Sequence, residues 1–322
     1  MSQILKALKE WIPYQLILKD HEPICKWLYL DGKKFVEPFF DDTILRCKSL
    51  SLNQTRIQCL SSLNILPKWF DGETSIEPSV IIFHVSRCGS TLASQLLSLN
   101  PSSIVLSEVP FIDSILRLKH NINYSNKYEI SNLLKAAIAC YGQKRNGNEN
   151  KLIIKTDSWH IFFYQQLRKI YPTTPFVLLY RSPDEVIRSH QKKPGMHSVP
   201  GLIEPEIFGF DLDTVLKIPR DEYMVMVLEK YFTEFINILN TDKLAIAINY
   251  KEGSTAIIEK TAKVASIQLT EAERDEIKLR AGFHAKYPNE KFIEETIIEK
   301  YPAYQSKAFE LYNKLEEIRI RH

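Results

Sequence analysis

The run His84-Val85-Ser86-Arg87-Cys88-Gly89-Ser90-Thr91-Leu92 gathers a cation, a glycine and two hydroxyls directly behind the apolar segment VIIFHV at 80–85. A strand that meets a tight glycine turn and then a helix makes an anion cradle. The free N–H groups of the first helical turn and the positive end of the helix dipole converge there. Gly89 permits close backbone approach, Ser90 and Thr91 add donors, and Arg87 supplies charge for a phosphate or a bridging oxygen. The loop departs from the triphosphate pattern GxxxxGK[ST] at two places, since His84 holds the first glycine position and Ser90 the lysine position. Triphosphate hydrolysis is disfavoured on that ground. Cys88 sits where a helix N-terminus lowers a thiol pKa, but no acid or histidine adjoins it in sequence, and it reads as a spacer.

A second anion site is encoded in FVLLYRSPDEVIRSH. Arg181 stands at the carboxyl end of an apolar strand, Pro183 suits the first helical position, and Ser189 falls about two turns into that helix. A guanidinium fork matches a phosphate in two places and the hydroxyl adds a donor. The plainer alternative is that Arg181 closes the strand and pairs with Asp184 or Glu185. Four further groups stand at or just beyond strand ends: Glu108 in SIVLSEVPFID, and Lys155, Asp157 and His160 in LIIKTDSWH. Carboxylates after strands are most often helix caps or first-turn acids, but a base, a cation and a neighbouring acid are also what group transfer to a hydroxyl requires.

The segment R-C-G-S-T resembles the 5′-phosphosulfate loop of sulfotransferases, which reads K-S-G-T-T in cytosolic members and R-S-G-T-T or R-S-G-S-T in Golgi and bacterial ones. Arg181 and Ser189 reproduce the interval of eight residues between the Arg and Ser with which that family binds the 3′-phosphate of its donor. The resemblance covers residues 79 to about 250 well, the C-terminal third loosely and the first 75 or so not at all. It implies 3′-phosphoadenosine 5′-phosphosulfate (PAPS) as donor and adenosine 3′,5′-bisphosphate as product, with no metal required. Arg87, Cys88, Gly89, Ser90, Thr91 and Leu92 would hold the 5′ side, and Arg181 and Ser189 the 3′ side. Lys286 or Arg280, in LRAGFHAKYPNEKF, would serve as a third basic element. Glu108 resembles the family's catalytic Glu and is favoured as base, with Lys155 or Arg87 as the leaving-group cation. Asp157 stands where cytosolic members carry a catalytic His, as an orienting partner or alternative base, and His160 as a third candidate or a cap. The acceptor, a small molecule or a peptide, is not named by these residues.

Such a site needs strand ends held side by side. VIIFHV, SIVL (103–106), LIIK (152–155), FVLLY (176–180) and LAIAI (244–248) alternate with helical patterns. This predicts a parallel sheet covered on both faces, and the resemblance implies that it is an α/β P-loop-type three-layer fold, a central parallel sheet of about five strands flanked by helices. Residues 79–322 form this sulfotransferase-like domain in the sequence reading. Residues 1–78, aromatic-rich and punctuated by turns, form a small N-terminal α+β accessory region. MSQILKALKEWIPYQL reads as an amphipathic helix at its start. The Pro- and Gly-rich segment 192–211 is long enough to be a functional loop and is assigned, with the N-terminal region, to covering the acceptor pocket, with His197 a candidate contact. With 42 basic against 39 acidic residues and 44% hydrophobic content, the chain suits a globular protein. It does not suit a general nucleic-acid or membrane-surface binder. No apolar run is long enough for integral membrane association. Five scattered cysteines without metal spacing fit a reducing cytoplasm. Two rivals stand beside the sulfotransferase reading: an ATP-dependent P-loop kinase with Asp157 on magnesium, and a non-catalytic nucleotide-binding module.

Overall fold

The computed structural model describes residues 8–20, 22–70, 75–120, 128–283 and 302–321. Its centre is a five-stranded parallel sheet built from β4 (Pro78–His84), β5 (Ser103–Ser107), β6 (Lys151–Lys155), β7 (Phe176–Tyr180) and β8 (Ala245–Asn249), in the order β5-β6-β4-β7-β8. These runs become strands because they are short, β-branched and apolar on both faces, which suits a sheet covered by helices on either side. Every residue of β7 is buried. The register is fixed by Ile82 opposite Lys155, His84 opposite Leu179, Ser107 opposite Lys155 and Tyr180 opposite Asn249. From central β4 the chain crosses to the edge strand β5, returns to β6 beside β4, and then passes to β7 and β8 on the other side, so the crevice above β4 lies at a topological switch point, where α/β sheets place ligands.

The helices that close this sheet include α3 (Ser90–Leu97), α4 (Pro110–Leu116), α5 (Ile130–Tyr141), α6 (Tyr164–Ile170), α7 (Pro183–Lys192), α9 (Arg220–Thr241), α10 (Ser254–Val264), α11 (Glu271–Ala281) and α12 (Ser306–Arg321); α8 (Leu212–Val215) is a single turn. The last helix docks on the domain: Ala308 and Leu315 are buried, and Glu316 bonds the Tyr180 hydroxyl and Lys251. Between β6 and α6, Ser158–Phe163 forms 3-10 turns.

The N-terminal region is a three-stranded antiparallel sheet, β1 (Trp11–Lys19), β2 (Glu22–Tyr29) and β3 (Leu60–Ser62), with α1 (Phe40–Lys48) and the short α2 (Leu66–Trp69). The N-terminal helix expected through residue 16 is therefore corrected from Trp11 onward. Pro13 explains the difference: inside a helix its ring clashes with the preceding turn and removes a hydrogen bond, whereas here it falls beside a bulge in the β1–β2 pairing. This sheet packs on α5, with the Tyr141 hydroxyl donating to the Pro13 carbonyl and Arg145 Nε to the Lys9 carbonyl at 2.8 Å. Its buried Ile12, Cys25 and Leu28 join the same apolar core as the central strands. Cys25, Cys47, Cys88 and Cys140 are buried free thiols and Cys59 an exposed one. No helix among the described residues is long and apolar enough to cross a membrane.

Candidate active site

All five parallel strands deliver a residue to one cleft at their carboxyl ends. His84 closes β4, Glu108 follows β5, Asp157 follows β6, Arg181 follows β7 and Tyr250 follows β8; all five line a cavity of about 780 Å³. Ser86, Arg87, Gly89, Ser90, Thr91, Leu92 and Ser189 line it too. Both phosphate motifs read from the sequence thus border a single space.

The backbone around the turn is unusual. Ser86 and Arg87 have φ of 67° and 52°, Gly89 has 79°, and Glu108 across the cleft has 57°. Three of the six described non-glycine residues with positive φ therefore fall in this cleft, and strained backbone of this kind concentrates at functional sites. Left-handed residues in succession also turn N–H groups to one side, which favours an anion. A Cβ on Gly89 would lie 2.9 Å from two ring atoms of Tyr250, so glycine is required both by φ and by space. Cys88 packs beneath, donating from Sγ to the Leu179 carbonyl; burial pushes its thiol up to about 12, which suits a spacer rather than a nucleophile.

Tyr250 also carries the second site. The Arg181 guanidinium lies 4.1 Å over its ring, donates from Nη1 to the Arg87 carbonyl at 3.3 Å and pairs from Nη2 with Glu185 at 2.9 Å. The pairing with Glu185 is the plainer alternative raised by the sequence, and here it coexists with contact to the phosphate turn. Arg87 in turn donates to the Lys193 carbonyl at 2.6 Å, which ties the turn to the 192–211 loop. Lys193, Pro194, Gly195, Met196 and His197 of that loop form part of the cavity wall. His197 is buried, with Nδ1 3.3 Å from Ser158 Oγ, and burial holds its pKa well below the usual histidine value.

The carboxylates divide into two groups. Glu108 Oε1 lies 2.5 Å from Lys155 Nζ and 3.4 Å from His84 Nε2. His84 Nδ1 accepts from the Ser86 N–H at 3.0 Å, so its proton sits on Nε2, facing the Thr156 carbonyl at 2.9 Å and Glu108. Burial alone would raise the Glu108 carboxyl, but Lys155 and His84 overcome it and hold it well below the usual range. Lys155 itself is buried behind Glu108 and does not line the cavity.

Asp157 is in the opposite position. Burial pushes it up to about 7, helped by Glu108 and Asp113 and opposed by His160 and Lys155. His160 Nδ1 accepts from the Asp157 N–H at 3.3 Å, which leaves Nε2 to donate to Asp113 Oδ1 at 2.9 Å and to face Asp157 Oδ2 at 3.5 Å. Asp113 also takes bonds from Trp159 Nε1 and Arg117. Ligand atoms of Asp113, Asp157 and His160 lie within 4.8 Å of one another, close enough to hold a metal ion. His160 lies behind the cavity wall.

Asp113, Tyr250, and Phe39 and Asp41 of the N-terminal region reach the cavity without having been singled out in the sequence. Tyr250 follows the fifth apolar strand directly, a position that could have flagged it. Of the late basic element, Ala281 and Phe283 border the cavity, whereas Lys286 lies outside the described residues.

No family model matches the chain, and no curated protein does. Among solved structures, it is similar to the sulfotransferase domain of the curacin biosynthetic pathway at 17% identity and TM-score 0.47, over 75% of this chain and 99% of that one. A sulfotransferase from Alicyclobacillus acidocaldarius matches at 12% and 0.43, over 76% and 94%. Sulfotransferase STF9 from Mycobacterium avium matches at 11% and 0.43, over 77% and 76%. At these identities and scores the functional reading has to come from the cleft itself.

Proposed function

We propose that the chain is a sulfotransferase that carries a sulfuryl group from PAPS to a hydroxyl or amine. The observation that carries this is the joining of the two anion sites: Arg181 contacts the carbonyl of Arg87 in the Gly89 turn and both border one cavity. A nucleotide with phosphates at both its 3′ and 5′ positions is the ligand that spans them. The residues fit that group, since Gly89 leaves open the approach that a Cβ would fill and Ser90, Thr91 and Ser189 supply hydroxyls on the wall.

Bound PAPS supplies an activated sulfuryl group on its 5′-phosphate. Ser90, Thr91 and the N–H groups of the turn hold that phosphate, and Arg181 with Ser189 hold the 3′-phosphate. Arg87 neutralises the charge that builds on the departing phosphate oxygen. As the acceptor oxygen or nitrogen bonds to sulfur and the sulfur–oxygen bond to phosphate breaks, the acceptor proton passes to a carboxylate. We assign that role to Asp157 rather than to Glu108, which the sequence favours. Glu108 is already engaged by Lys155 and His84, and a base works best with a pKa near the working pH. Lys155 fixes Glu108, and His160, through its bond to Asp113, positions Asp157.

Thermal unfolding with adenosine 3′,5′-bisphosphate or with ATP and magnesium tests the reading. A ligand of the native state raises its stability, and the bisphosphate is expected to give the larger shift. A larger shift with ATP and magnesium makes the protein a kinase-like enzyme, with Asp113, Asp157 and His160 as the cation's holders.

A further inference from the structure

The cavity is lined by charges of both signs. Arg87, Arg181 and Lys193 border it, and the nucleotide is assigned to the two arginines; Asp41, Glu108, Asp113 and Asp157 border it too, with the apolar Phe39 and Trp159. Asp157 and the acids beside it are met by His160, Lys155 and Arg117, but the Asp41 side chain forms no hydrogen bond or ion pair with any described residue. It opens the first turn of α1, next to Phe39, whose ring lies 5.2 Å from Lys155 Nζ. The N-terminal region thus reaches the buried Lys155–Glu108 pair and presents to the same cavity a carboxylate that no ion pair neutralises. Burial and the charges of Asp42 and Glu108 raise the Asp41 carboxyl, and Lys48, which forms no ion pair with it, opposes them without reversing the shift.

A wall of this kind rejects anions and favours a positive charge flanked by apolar surface. We propose that the acceptor is a cation, an amine-bearing molecule with an apolar or aromatic body, and that the N-terminal region selects it through Asp41. The inference rests on the sulfotransferase reading, because it assigns the rest of the cavity to the nucleotide.

The test is calorimetric titration of three phenols into protein saturated with adenosine 3′,5′-bisphosphate: tyramine, 4-ethylphenol and 4-hydroxyphenylacetate, which share a ring and hydroxyl and differ in charge. Tyramine is expected to bind at least about fivefold more tightly than 4-ethylphenol, and the acid more weakly than either. Asp41→Asn should bring the tyramine to 4-ethylphenol ratio close to one. Asp42→Asn, a neighbour off the cavity wall, should leave the ratio as it is. Thermal stabilisation by the bisphosphate shows that each variant is folded. Tyramine binding no tighter than 4-ethylphenol, including no binding, overturns the inference, and so does a ratio indifferent to Asp41→Asn. Loss of bisphosphate stabilisation in the unaltered protein would instead remove the sulfotransferase reading beneath it.

Discussion

Arg181 reaches across 94 residues to donate a hydrogen bond to the main-chain carbonyl of Arg87, while its other terminal nitrogen is held by Glu185. The guanidinium is thereby aimed at the phosphate turn, but with a carboxylate competing for the fork that a phosphate would use. Glu185→Gln removes the competing charge and keeps the side-chain size. Affinity for adenosine 3′,5′-bisphosphate by calorimetry should rise about two- to tenfold. Weaker binding would mean that Glu185 orients Arg181 rather than competing for it.

Gly89→Ala separates crowding from backbone strain. A Cβ there meets the Tyr250 ring, on which Arg181 lies, and must also adopt a φ of 79°. Gly147, at φ 87°, has nothing within 4 Å of the corresponding position, so Gly147→Ala measures strain alone, about 1 to 2 kcal/mol of stability. Both variants should lower the unfolding midpoint. Only Gly89→Ala should weaken bisphosphate binding, by about tenfold or more; equal binding in both would detach Tyr250 from the site.

Asp157 links activity to pH in a definite direction. Its carboxyl sits at about 7 in the fold and near the ordinary value of about 4 when unfolded. Between those values the native state holds a proton that the unfolded chain has released. The contribution to stability is complete below about pH 4 and is lost as pH rises through about 7. Asp157→Asn cannot ionise, so the fall in urea midpoint between pH 5 and pH 8 should be smaller in the variant. Turnover of the unaltered enzyme should rise through about pH 7, and Asp157→Asn should lower it about a hundredfold or more. An unchanged pH slope together with retained turnover would return the role of base to Glu108.

Lys155 is buried and closes on Glu108, so removing one partner leaves a poorly compensated charge. Lys155→Met should cost about 3 kcal/mol of stability in denaturant titration, and the double variant Lys155→Met, Glu108→Gln less than the sum of the two single changes. Additive losses would show that the pair does not act as a unit.

The strands of the central sheet were legible because each is a short β-branched run, a local signal that burial on both faces then enforces. Arg181 and Ser189 were legible for a related reason: a strand end and a helix two turns long fix their separation within fifteen residues. What escaped depends on distant parts of the chain. Asp41 and Phe39 reach the cleft only because the N-terminal sheet docks on α5 through Tyr141 and Arg145, more than a hundred residues away. The sequence favours Glu108 as base, whereas the difference between Glu108 and Asp157 arises through Lys155, His84 and His160 in space rather than through their neighbours in the chain. The first strand reads as helix in the sequence because Ile12 and Leu16 suit either period, and only Pro13 distinguishes them.

A double-mutant cycle on the ligand addresses the two-site cleft directly. Calorimetry would compare adenosine 3′,5′-bisphosphate with adenosine 5′-monophosphate, in the unaltered protein and in Arg181→Ala. Removing the 3′-phosphate should weaken binding to the unaltered protein about a hundredfold, and Arg181→Ala should abolish most of that difference while leaving 5′-monophosphate binding nearly as it was. The same loss for both nucleotides on Arg181→Ala, or no preference for the bisphosphate at all, would contradict the claim that Arg181 and the Gly89 turn hold opposite ends of one nucleotide.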